Sequence, residues 1–211
     1  MSASATSSVK ASEPMDWGLI GRQTFGILRL ELGRQLFSKR AFALYFLAFA
    51  PVALMAIWAI SPIPKELGLA GPVEGGKIFA FVYAGYLGTS IFLSCLILFM
   101  SLFRSEILEK SLHYYFLSPI RREVLVAGKY SAALIAVVGT YAISTTCLYL
   151  LTMSPWGLGT LSRHLFSGPG FGHLITYIGI SALACIGYGA LFQLAGQLFK
   201  NPVIIAVALW G

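Results

Sequence analysis

Apolar residues along this chain fall in long unbroken blocks. Ala41–Ile60, Ile78–Phe103, Tyr130–Met153 and His173–Phe199 each lack any Asp, Glu, Lys or Arg. A helix rises about 1.5 Å per residue and the hydrocarbon core of a bilayer is about 30 Å thick. The first block therefore just spans, while the second must tilt or project. The pattern predicts an all-α integral membrane protein with four complete transmembrane helices. Residues 202–211 open another apolar run too short to cross as a helix. They read as the start of a fifth span, cut short.

Composition agrees with that reading. Of 211 residues, 57% are hydrophobic and only 11% are charged, against roughly 25% charged in a soluble domain. Residues 1–23 are rich in Ser and Ala and lack the apolar core of a secretory signal. They are expected to form a disordered cytoplasmic tail. Cys95, Cys147 and Cys185 all lie inside apolar blocks and are expected as small core residues rather than a disulfide framework.

The basic residues set an orientation. Twelve of the fifteen Lys and Arg fall before the first block, between the second and third, or after the fourth. In that alternation Ser105–Gly128 shares a side with the N-terminus, but Arg163 stands alone in a loop on the other side. The remaining three, Lys65, Lys77 and Arg163, fall in the two segments on the other side. Cytoplasmic segments carry the Lys/Arg excess. The N-terminus and Ser105–Gly128 are thus expected inside the cell membrane, with Ser61–Lys77 and Ser154–Gly172 outside.

Candidate chemistry narrows the function more by exclusion than by identification. Gly71, Gly76 and Lys77 match a phosphate-binding loop up to its last position, where Ile78 stands in place of Ser or Thr. No apolar strand precedes them, and Ile cannot ligand Mg²⁺. Gly71, Pro72, Gly75 and Gly76 are instead expected as turn residues of an outer hairpin. The apolar blocks hold no ionisable relay of the kind that marks ion-coupled carriers. No catalytic residue, metal site or cofactor is expected in this chain, and no nucleic-acid partner.

Small residues recur four apart at Ala80, Ala84 and Gly88, at Ala132, Ala136, Thr140 and Ser144, and at Ser181, Cys185 and Gly189. This spacing lets helix backbones approach closely. Pro51 interrupts the first block and is expected to kink it. Residues 24–40 are expected to form an interfacial amphipathic helix, with Phe25, Leu28, Leu32 and Leu36 on one stripe. Ile27 and Leu30 point elsewhere, where they are free to touch protein. Residues 41–211 then form the membrane domain.

The loop between the second and third blocks is patterned. Glu106, Glu109, Lys110 and His113 share one helical face, and Leu108, Leu112 and Tyr115 the opposite one. Ser118-Pro119 breaks this helix and starts another. Arg121 and Arg122 follow, at the level of the headgroups. A basic juxtamembrane loop needs none of this, whereas a docking surface for a cytoplasmic partner does.

This loop resembles the signature region of type-2 ABC transporter permeases, the membrane subunits of many ATP-driven exporters. The resemblance rests on Glu109, Ser111, Leu112, Leu117, Pro119, Arg121, Arg122, Gly128 and Lys129, and on the order of interfacial helix and spans around them. Lys110 departs from a common Gly, and His113-Tyr114-Tyr115 is more aromatic than the usual run. The resemblance implies a permease half in the cytoplasmic (inner) membrane. It implies a second permease subunit, a homo- or heterodimer partner, and a separate cytoplasmic ABC ATPase. Glu106, Leu108, Glu109, Leu112, His113, Tyr115, Pro119, Arg121, Arg122 and Lys129 would form the ATPase-coupling loop. The alternative is a membrane scaffold or anchoring subunit with no transport role.

Overall fold

The computed structural model describes residues 17–62, 71–108 and 122–198. The described residues are helical apart from short turns and contain no strand. Helix α1 is Trp17–Leu36 and α2 is Lys39–Ile60. Helix α3, Pro72–Val82, runs through one π turn, Tyr83–Leu87, into α4, Gly88–Leu108. Helix α5 is Arg122–Met153, followed by a 3₁₀ turn at Ser154–Trp156 and by α6, Leu158–Phe166. Helix α7 is Gly170–Leu198. Four segments are long and apolar enough to cross a membrane: Ala41–Ile60, Val73–Met100, Leu125–Trp156 and Gly170–Leu198.

Cross-helix contacts fix the direction of each span. Phe79 meets Tyr149 and Tyr177 at one end. Ser94 meets Tyr141 midway, with hydroxyls 2.7 Å apart. Phe99 meets Tyr130 toward the other end, where it also lies against Gly189. Thus α4 and α7 run in one sense and α5 in the other. The central helices are α4 and α5; α2 and α7 turn more apolar surface outward, including Phe42, Phe46, Ile57, Leu183 and Leu194. Outward apolar side chains suit a lipid-facing surface, where the bilayer itself is the solvent.

Helix α2 is shorter than α5, against which it packs, and α1 makes up the difference. Ser144 of α5 donates its hydroxyl proton to the carbonyl of Ala48 in α2. Nearer the start of α5, Gly128 lies against Ile27 of α1. Leu32 and Leu36 of α1, with Tyr45 and Phe49 of α2, line one groove along Ile135–Ile143. The first half of α5 is therefore covered by α1 and the second half by α2. Ser38 makes the joint, its Oγ accepting from the Ala41 amide at 3.2 Å as an N-cap. Helix α2 runs through Pro51 without ending.

Several expectations change. The helix at the N-terminus starts at Trp17, inside the expected tail, and stops at Leu36. Gly18 and Gly21 weaken the sequence signal there, at about 1 kcal/mol each relative to Ala. Of the expected stripe, Phe25 is exposed while Leu32 and Leu36 line the groove along α5, and Ile27, off the stripe, touches α5. Packing against a neighbour, not a lipid-directed stripe, selects the side, and Gln35 is buried there, donating to Glu31 at 3.0 Å.

The stretch GPVEGGKI is not a turn. Gly71 caps α3, Pro72 occupies its first turn, and Gly75, Gly76 and Lys77 are helical. Gly75 is required by packing, since a Cβ there would lie 2.6 Å from the Trp156 ring. Of the small-residue stripes, Ala132–Ser144 and Ser181–Gly189 are buried, but Ala84 is exposed. A π turn, Tyr83–Leu87, interrupts the α-helical repeat within this stripe. The expected loop Ser154–Gly172 contains α6. Residues 202–211, expected to start a fifth span, lie outside the described residues.

Candidate functional site

Of the residues expected to couple the spans to an ATPase, Glu106 and Leu108 end α4 and Arg122 opens α5. Glu109, Leu112, His113, Tyr115, Pro119 and Arg121 lie outside the described residues. Lys129 is the member whose side chain is placed, and it corrects an expectation. Its sequence position suggests the end of a loop, yet it sits two turns inside α5 and is only 1% exposed. The helix begins earlier than the apolar block because Arg122, Glu123 and the residues after them continue it without a breaker. A buried ammonium is costly unless its surroundings compensate the charge.

Three consecutive residues make this part of α5 a joint. Gly128 faces α1, where a Cβ would fall 2.8 Å from Ile27 Cγ2 and 3.6 Å from the Thr24 carbonyl oxygen. Lys129 is enclosed. Tyr130 turns to the other side, its ring 5.4 Å from that of Phe99 in α4 and its hydroxyl donating to the Ile186 carbonyl of α7 at 3.2 Å. One turn of α5 thus grips three helices. The Gly is there because only a hydrogen fits between two helices at this distance.

The pair α4 and α7 is equally close at this end. A Cβ on Gly196 would lie 3.1 Å from both Cα and O of Met100. Deeper in, Cys95 of α4 and Cys185 of α7 are both buried and free of disulfides. Between α5 and α7 the packing opens into a groove of about 660 Å³ lined by Tyr130, Gln193 and Gln197. The buried Oε1 of Gln193 has no hydrogen-bond partner among the described residues. A sequence search for ionisable residues passes over these amides because they carry no charge.

The joint can act mechanically. This turn of α5 contacts α1, α4 and α7 at once, and packed helices shift as bodies rather than deform. Among the described residues no three His, Cys, Asp or Glu come together as a metal site. No family model matches the chain, nor does any curated protein or solved structure.

Proposed function

We propose that this chain is a membrane-spanning permease subunit of an ABC transporter, moving its substrate with ATP hydrolysed by a separate cytoplasmic subunit. The observation that carries the reading is the joint at Gly128–Tyr130. Gly128 and Lys129 close the patterned segment whose residues resemble the type-2 permease signature, and they lie where α5 meets α1 and the core. A loop that receives an ATPase must pass its movement into the spans without slack, and this turn supplies a close-packed path. In this reading the N-terminus and residues 109–121 face the cytoplasm, as the distribution of Lys and Arg favours. The active form pairs two such subunits with two ATPases.

The test uses the full-length protein with its ATPase in proteoliposomes, recording ATP hydrolysis and substrate flux together. Glu109→Lys places a wrong-sign charge at the contact, and like-charge juxtaposition costs several kcal/mol. The expected outcome for Glu109→Lys and Leu112→Asp is normal insertion with hydrolysis uncoupled from flux. If both variants assemble and transport like the parent, the loop is not the coupling element. A chain that binds no ATPase at all would instead be a scaffold or anchoring subunit.

A further inference from the structure

The end of the bundle away from the Gly128 joint holds a cavity of about 330 Å³, walled by α3, α5, α6 and α7. Three nitrogen-bearing side chains converge on it from three different helices. Lys77 comes from the second turn of α3, His164 from α6 and His173 from the first turn of α7. Val73 from the first turn of α3, Pro169 just before α7 and His173 from the first turn of α7 contribute to the wall. Helix N-termini present unpaired amides and a partial positive charge, which favours anions. No acidic residue lines the cavity; Glu74, the acid on α3, is not part of its wall.

The remaining walls are apolar and well fixed. Phe79 stands edge-on to Tyr149 and Tyr177, with ring centroids 5.0 and 4.8 Å away. The Tyr149 hydroxyl lies 3.2 Å from Nε2 of His164, which orients that imidazole. The turn Gly168-Pro169-Gly170 wraps the same residue, and a Cβ on Gly170 would lie 2.7 Å from the His164 ring. No third His, Cys, Asp or Glu joins the two imidazoles among the described residues, so the donor set suits an anion better than a metal ion. Its size is at the small end of the range for ligand pockets, roughly 300–1,000 Å³.

We propose that this cavity binds a phosphate-headed amphiphile. The phosphate oxygens sit among Lys77, His164, His173 and the two helix N-termini, and the first carbons of the tail lie against Phe79, Met153 and Tyr177. Several separate donors match the several oxygens of a phosphate monoester, and charge-assisted hydrogen bonds are the strong ones. The occupant is either a membrane phospholipid entering by its head or a soluble alkyl phosphate.

The test is titration of the full-length protein in phosphatidylcholine nanodiscs with hexyl phosphate, followed by calorimetry. Hexanol and inorganic phosphate are the controls. Lys77 and His173 are exposed, so Lys77→Gln and His173→Gln should keep the parent melting temperature. Each should weaken hexyl phosphate about three- to fivefold, the range for exposed charge contacts. Arg34→Gln, on α1, should change nothing. Saturating the discs with phosphatidic acid separates the sources. If it competes in the parent but not in the double variant, the natural occupant is a lipid; if it leaves hexyl phosphate binding unchanged, the occupant is soluble. Absence of hexyl phosphate binding, hexanol or inorganic phosphate binding as tightly, or a double variant that binds like the parent each overturns the proposal.

Discussion

The two ends of the bundle rely to different degrees on glycine and on aromatic contacts. Each uses both, with Gly75 against the Trp156 ring at one end and Phe99 beside Tyr130 at the other. Near the Gly128 joint, helices meet through glycine: Gly128 against Ile27, Gly189 against the Phe99 ring, and Gly196 against the Met100 backbone. At the far end they meet through rings, with Phe79, Tyr83, Tyr149 and Tyr177 stacked edge to face and the Tyr83 hydroxyl 2.8 Å from both the Tyr177 carbonyl and Ser181 Oγ. Glycine contacts bring backbones together and leave little freedom to slide. Aromatic contacts hold helices farther apart and leave a cavity between them. One end is closely packed, and the other leaves a cavity.

The most damaging way to break this contrast is Gly196→Leu. Its neighbour is the Met100 backbone, which cannot rotate aside, so α4 and α7 must separate. Overpacking of this kind costs about 3 kcal/mol. The expected outcome is a large fall in the detergent melting temperature. A variant that melts like the parent would show that the close approach is not required.

Gly128→Val tests the other glycine contact and should cost about 2 kcal/mol. The obstruction is the Ile27 side chain, so the double variant Ile27→Ala/Gly128→Val should recover part of the loss. Additive losses measured in a double-mutant cycle would mean that α1 does not rest on α5 at this point.

The smallest effect is expected at the ring-built end. Tyr83→Phe removes one hydroxyl bonded to α7 while keeping the ring. Interhelical hydrogen bonds in membranes average about 0.6 kcal/mol. Because Ser181 also donates to the Tyr177 carbonyl at 3.0 Å, the acceptor stays satisfied. A loss as large as that of Gly196→Leu would erase the distinction between the two ends.

The sequence by itself determined that this is a helical protein with four membrane-spanning segments, because long apolar blocks without charge have few other physical outcomes. It also exposed two of the three small-residue faces, since both lie in uninterrupted helix where a spacing of four keeps residues in line. Only the tertiary structure decided the rest. Ala84 of the third face is exposed, and no pattern in Ala80–Gly88 announces the π turn that interrupts it. Helix α1 packs by Leu32, Leu36 and Ile27 but leaves Phe25 exposed, because the side a helix buries depends on which neighbour covers it. Lys129 proved to be inside a helix, since a charge ends an apolar block without ending the helix that carries it. Lys77, His164 and His173 are 87 and 9 residues apart along the chain, separations with no motif spacing. They share a cavity only because α3, α6 and α7 end or begin at the same level of the bundle.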